Sequence, residues 1–306
     1  MGPDRPLSTT MPASTRRYDL LHKRLDRFTQ MLQGLDEGDP HALHQARVAS
    51  RRLREILPVL QVHPHVVRRL GRRLRKVTQR LGGVRELDVL SQLVEELAAS
   101  GRYDQQAVRR VVGFIGEQRK RARNKLLDKL PLGELRRIAG KLDRIAGDLK
   151  KGETSRGWHW AVDARVTHRA LALKTALADA GALYLPERLH VVRIALKKLR
   201  YACEVGAEAA GLSNKAEMRA LKRGQDILGR LHDVQVLIDR IRQLQASLSP
   251  AETLLSRKLD VLMTALENDC RRLHGRFIHQ RSAIVAVCDR SSSVKPSAQT
   301  SRRAAS

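Results

Sequence analysis

Leu43-His-Gln-Ala-Arg-Val-Ala-Ser-Arg-Arg-Leu-Arg54 and, 146 residues later, Leu189-His-Val-Val-Arg-Ile-Ala-Leu-Lys-Lys-Leu-Arg200 are two versions of one segment. The match runs on downstream at an offset of 147, pairing Arg68 with Lys215, Arg72 with Arg219, Arg75 with Lys222 and Lys76 with Arg223. It then pairs Leu81-Gly82 with Leu228-Gly229 and Glu86 with Asp233. Upstream, Pro40 answers Pro186 and His22 answers His168. An offset this steady predicts two homologous units, residues 16–150 and 158–290. Each carries long amphipathic helices that need an apolar partner, so the units are expected to pack as one pseudo-symmetric all-α body.

Helical reading extends from Arg16 to about Arg290, because Leu, Ala, Arg, Lys, Glu and Gln dominate and apolar residues recur at three- and four-residue steps. Short runs punctuate it: Gly34–Pro40, Val62–Pro64, Gly82–Gly83, Ser100–Asp104, Pro131–Gly133, Gly152–Gly157, Gly181–Pro186, Gly211–Asn214 and Ser247–Ala251. Gly82–Gly83 and Gly229 interrupt basic helices and are read as packing positions. Residues 1–15 and 291–306 are read as disordered.

On a helix advancing about 100° per residue, with His44 at zero, Arg51, Arg47 and Arg54 fall at about 340°, 300° and 280°. Leu53, Leu60, Ala49, Ile56 and Leu57 occupy the opposite side, at about 120° to 220°. One face is core and the other is a line of cations headed by a histidine. The second unit repeats the line with His190, Arg193, Lys197 and Arg200, backed by Leu199, Ala202, Ala195 and Leu196. Arg52 and Lys198 flank the two lines, and Tyr201 borders the second. A further basic helix follows each line, with Arg72, Arg75 and Lys76 in the first unit and Arg219, Lys222 and Arg223 in the second. Like charges one helical turn apart destabilise a bare helix. That cost, incurred twice at matched positions, points to anion binding.

The whole chain of 306 residues has 59 Lys and Arg against 32 Asp and Glu, a formal charge of +27. Only Lys295, Arg302 and Arg303 of these cations lie beyond residue 290. Such a body favours acidic partners and salt-sensitive association. Cys203, Cys270 and Cys288 stand far apart without ligand spacing, which argues against a disulfide framework or a thiolate metal site. Met1–Thr15 has no apolar core and no 18-residue apolar run occurs, so a cytoplasmic, non-membrane protein is expected.

Single-strand and base-reading proteins interleave aromatic platforms with positive charge, each stacked base contributing about 1–3 kcal/mol. Aromatics here are 3% of residues. A cation groove without stacking groups suits a ligand that is all phosphate, which arginine grips with bidentate forks. His44 and His190 are candidate phosphate contacts and a partial pH gate, since phosphate favours the imidazolium. Glu86, Asp88 and Asp233 lack converging partners for metal or acid–base work, and are expected to orient arginines. No catalytic residue, metal or cofactor is expected. The competing expectation is a nucleoid-type protein that binds nucleic acid without sequence preference.

At these residues the sequence resembles the CHAD family, the conserved histidine α-helical domain. The family pattern His-x-x-Arg-Val-Ala-x-Arg-Arg-Leu-Arg stands here as His44–Arg54, and its second-unit counterpart as Leu189–Tyr201. The segment Leu-Gly-x-x-Arg-Asp-x-Asp-Val-Leu resembles Leu81–Leu90, with Glu86 in place of the first Asp, and a shorter version resembles Leu228–Asp233. The resemblance implies two four-helix units about a pseudo-twofold axis, with the basic helices lining a groove or pore. It also implies binding of inorganic polyphosphate and association with polyphosphate granules; weak nucleic-acid binding is a separate expectation from the basic surface. Some relatives carry a triphosphatase domain whose strands alternate Glu with Lys or Arg, a pattern missing from this sequence.

Overall fold

The computed structural model describes residues 17–36, 39–128, 132–151, 158–211 and 214–293. All of its regular structure is helical: α1 (Arg17–Asp36), α2 (Pro40–Ile56), α3 (Pro64–Arg80), α4 (Gly82–Ala99), α5 (Gln105–Asp128) and α6 (Leu132–Lys151) in the first half. The second half holds α7 (Trp158–Ala180), α8 (Pro186–Ala210), α9 (Lys215–Ala246) and α10 (Thr253–Ser293). Among the described residues there is no strand, and no helix is long and apolar enough to cross a membrane. The two terminal segments read as disordered lie outside the described residues, apart from Ser291–Ser293, which continue α10.

Helix ends fall at the punctuating runs, for local reasons. Asp39 caps α2 by accepting from the backbone N–H groups of His41 and Ala42, both at 3.0 Å. Asp104 caps α5 in the same way through Gln106 and Ala107. Ser249 and Glu252 form a capping box ahead of α10. Gly181 and Gly211 close α7 and α8 at φ +63°, a left-handed conformation that glycine takes without a Cβ clash.

The halves differ in how they are cut. At the offset of 147, α3 and α4 together correspond to the single helix α9. The chain breaks at Leu81–Gly82 but runs unbroken through Leu228–Gly229. The first half therefore has six α-helices among the described residues where four were expected, because the counterparts of α9 and α10 are each split in two.

Three apolar cores hold these helices. One joins α1, α2, α3 and α6 around Phe28, Leu53, Leu74 and Ile138. Another joins α7 and α8 to the first part of α9 and the last part of α10, around Leu173, Leu196, Leu221 and Ile284. Between them, α4 and α5 pack Leu90 and Ile115 against Leu237 and Leu266 of α9 and α10. The two halves thus share an interior, and α9 and α10 each serve two cores.

Gly229, read as a packing position, has no neighbour within 4 Å of where a Cβ would lie. The close approach is instead at Gly224, whose added Cβ would come within 2.6 Å of Ile284 Cδ1 and 3.1 Å of Leu196 Cδ1. Gly224→Val is expected to cost about 1–3 kcal/mol by overpacking. Gly229→Ala is expected to add up to about 1 kcal/mol through helix propensity. Thermal denaturation of the two variants, followed by circular dichroism, checks both signs.

Candidate anion-binding groove

The α2 cations Arg47, Arg51 and Arg54 face the α8 groups His190, Arg193, Lys197 and Lys198 across a groove of about 420 Å³. Gly82, Arg85 and Glu86 of α4 and His232 and Asp233 of α9 complete its walls, with Tyr201 and Glu55 at the margin. The two cation lines recognised as a repeat therefore converge on one cavity. Their amphipathic helices bury the opposite face: Leu53, Leu196 and Leu199 are fully buried, which aims the charged stripes inward to the groove between the cores.

Crowding of like charge in a half-buried site shows in the ionisation of its members. Burial pushes the Lys197 ammonium down to about 7, with Arg193, Arg51 and Arg47 adding repulsion. Arg47 falls to about 10, again through burial first and then Arg51, Arg85 and Arg193. Arg54, Arg193 and Lys198 are lowered by the same leading cause. His190 is lowered by burial and Arg193. His232, whose ring centroid lies 4.9 Å from that of His190, falls to about 4 through burial and the nearby Arg193. Burial raises Asp233 despite Arg193 and Arg230, so this carboxyl, which shares the groove with Glu55 and Glu86, is weakened as a counter-charge.

Hydrogen bonding leaves the same signature. Among the described residues, nine buried side-chain atoms lack a hydrogen-bond partner; two of them, Nε of Arg47 and Nε of Arg193, belong to groove-lining cations, and Nδ1 of His44 belongs to the first cation line. Leaving a buried donor unmet costs about 1–3 kcal/mol. The two unmet guanidinium donors on the walls of one cationic cavity are groups that an oxyanion would satisfy.

The remaining sequence candidates divide. His44 sits half-buried behind the groove, where burial and then Arg85 and Arg47 lower it. Arg200 turns away to Glu204 and to Gln225 at 2.8 Å, its guanidinium lying 4.9 Å from the centroid of the Tyr201 ring. Arg52 lies 4.0 Å from Glu204 and borders a separate shallow pocket with Arg24 and Arg27. Arg72, Arg75, Lys76, Arg219, Lys222 and Arg223 are exposed and do not line the cavity, although Arg75 is near enough to act on Arg54. Arg85 and His232, and Glu55 at the margin, are titratable groove residues that were not singled out from sequence. Each carried a signal: Arg85 is the Arg of the Leu81–Leu90 segment, His232 adjoins Asp233 in its repeat, and Glu55 follows Arg54 of the cation line.

The acidic positions tie helices together. Glu86 accepts from Arg240 at 3.1 Å and Asp88 from Arg119 at 2.7 Å, linking α4 to α9 and α5. Neither arginine belongs to the cation lines. Glu55, almost fully buried, pairs with Arg165 at 2.7 Å and Arg169 at 3.7 Å on α7. Among the described residues, no three His, Cys, Asp or Glu side chains gather as a metal set, and Cys203, Cys270 and Cys288 are buried free thiols.

The CHAD domain model matches residues 19–242. The chain belongs to the CHAD family. As a CHAD protein it is similar in fold to the crystal structure of the CHAD domain from the plant Ricinus communis, with a TM-score of 0.62 at 20% identity, over 94% of this chain and 96% of that one. It is also similar to PptA from Streptomyces chartreusis, with a TM-score of 0.56 at 18% identity, over 90% and 97% of the two chains. Among curated proteins, none matches its sequence.

Uncharged Lys197 relieves the ligand-free groove, so its protonation opposes folding. The unfolded chain takes up this proton as pH falls through the ordinary lysine range near 10.5, whereas the folded chain does so only at about 7. Stability from this group is therefore lost as pH falls from above 10 to about 7, and is regained as pH rises. Lys197→Met is expected to raise Tm at pH 7 by several degrees and to flatten that rise. Melting curves across the interval check it.

Proposed function

We propose that this CHAD protein binds inorganic polyphosphate in the groove between α2 and α8, performs no chemistry on it, and associates with polyphosphate granules in the cytoplasm. The observation that carries the reading is the convergence of Arg47, Arg51, Arg54, Arg193 and Lys197 on one half-buried cavity with buried donors unmet. Guanidinium forks suit consecutive phosphates, and desolvation strengthens each contact relative to the surface.

Stacking is poorly provided for. Among the described residues, Tyr201 is the one Phe, Tyr or Trp bordering the groove, and the Arg200 guanidinium sits against its ring. The His190 and His232 rings lie against each other. A ligand of phosphates alone uses this cavity better than one that must place bases. Glu55 and Glu86 are held in ion pairs with arginines, which supports binding rather than acid–base work. The exposed cations of α3 and α9 favour the second reading, sequence-tolerant nucleic-acid binding, and the two readings separate experimentally.

Labelled long-chain polyphosphate and duplex DNA of matched charge are titrated at about 150 mM salt, where loose phosphate contacts weaken steeply. Polyphosphate is expected to bind more tightly; equal affinity for DNA would reject the specific reading. Charge reversal at Arg51→Glu with Lys197→Glu should abolish polyphosphate binding while helicity by circular dichroism is retained.

Binding should also take up protons. Phosphate beside Lys197 restores its ordinary high pKa, so at pH above about 7 the complex holds a proton that the free protein lacks. Affinity then falls as pH rises above about 7, by up to about tenfold per unit for one proton. Below that pH Lys197 is already charged and its contribution levels off. Calorimetry in buffers of different ionisation enthalpy measures the uptake, and pH-independent affinity between 7 and 9 would refute it.

A further inference from the structure

The basic residues of α3 do not form a single face. Arg75 approaches Arg54 at the groove, whereas Arg69, Arg73 and Arg80 lie on the strip beside α6, rotated from Arg72 by about 60° to 100°. α3 and α6 share the first core through Leu70, Leu74, Leu135, Ile138 and Leu142. That packing sets the α3 strip alongside Arg137, Lys141 and Arg144 of α6. None of these six cations lines the groove. Arg69, Arg80, Arg137 and Arg144 are exposed, and Arg73 and Lys141 are partly so.

The strip is charged in one sense. Among the described residues its one ion pair is Arg80 with Glu134 at 3.8 Å, and Arg137 donates to the backbone carbonyl of Gly133. Repulsion here is large enough to act through solvent: Arg69 first, then burial, Arg73, Arg144 and Arg137, lower the Lys141 ammonium. Like charges this close destabilise both helices, and a polyanion laid over the seam removes the cost.

We propose that the α3–α6 seam is a second docking track for polyphosphate, so that one protein holds two segments of the polymer, one in the groove and one on the surface. This rests on the groove reading above. From Arg69 to Arg80 the track is about 16 Å long, which fits an extended chain of phosphates better than one small anion. It contains no aromatic residue, so stacked bases would have nothing to rest on. Two tracks separated by the body of α3 link neighbouring strands, which is what a granule-associated protein needs to cross-link its polymer.

The test compares the native protein with a track variant, Arg69→Gln, Arg73→Gln, Lys141→Gln and Arg144→Gln, whose substitutions lie at exposed or partly exposed positions and relieve repulsion. Circular dichroism should show unchanged helicity. A polyphosphate just long enough to fill the groove should bind both proteins within about twofold, since surface substitutions act weakly on a half-buried site. With long-chain polyphosphate, the native protein should scatter light as strands are linked, and the variant should not. The slope of log affinity against log salt for the long chain should lose about three units, at roughly 0.7 per phosphate contact on a single strand. Equal scattering and equal slopes in the two proteins would overturn the proposal. So would a variant that loses duplex DNA binding while linking polyphosphate normally, which would assign the track to nucleic acid. Failure of the native protein to bind the short chain would reject the groove reading itself, and with it this extension.

Discussion

Several cations face one another across the groove without an equal number of anions, and most of the molecule can be understood as the means of holding them there. Arg47, Arg51, Arg193 and Lys197 converge on it, and burial is the largest influence on the protonation of Arg47, Arg193 and Lys197. A buried charge that lacks a partner is costly, and side chains free to move would swing out to solvent. They are prevented from doing so because α2 and α8 are fixed from behind. Leu53 belongs to one core and Leu196 and Leu199 to another, so rotating either helix would expose fully buried leucines.

Placement of the carboxylates sustains this imbalance. Glu86 and Asp88 lie one helical turn or less from Arg85, yet their partners are Arg240 and Arg119. These pairs bind α4 to α9 and α5 while leaving the cation lines uncompensated. Glu55 reaches the groove margin but is taken by Arg165 and Arg169 from α7. Buried pairs of this kind contribute little net stability, although breaking one is expensive. Their contribution is positional: acids that could have neutralised the groove instead hold its walls. Asp233 is the exception, and its burial raises its own pKa, which limits the negative charge it supplies.

Much of this was legible in the sequence because repetition removes the ambiguity of a single helical wheel. The lines headed by His44 and His190 appear twice, and six of their members, with Lys198 and Tyr201, meet in one cavity. Where the repeat was weaker, so was the reading. Arg72, Arg75 and Lys76 match Arg219, Lys222 and Arg223 residue for residue, but periodicity cannot say which side of a basic helix faces a distant element. The split of α3 from α4 at Leu81–Gly82 has no counterpart at Leu228–Gly229, although the two pairs are identical, so tertiary packing decides there whether the helix continues. Gly224 was missed because close approach to Ile284 depends on a contact sixty residues away in the chain.

One difference between the repeats bears directly on how the groove tolerates itself. The same position is Arg51 in the first copy and Lys197 in the second. Arginine keeps its proton under all ordinary conditions, so a groove lined by arginines alone has no means of lowering its charge. Lysine can release its proton, and Lys197 is displaced to about 7, where a small change in surroundings moves it between states. The ligand-free groove therefore sheds part of its charge at the residue most crowded by the others. An anion bound beside Lys197 would restore that charge. The arginines provide a permanent field and the lysine provides the adjustable part, a division of labour between corresponding positions of the two repeated segments.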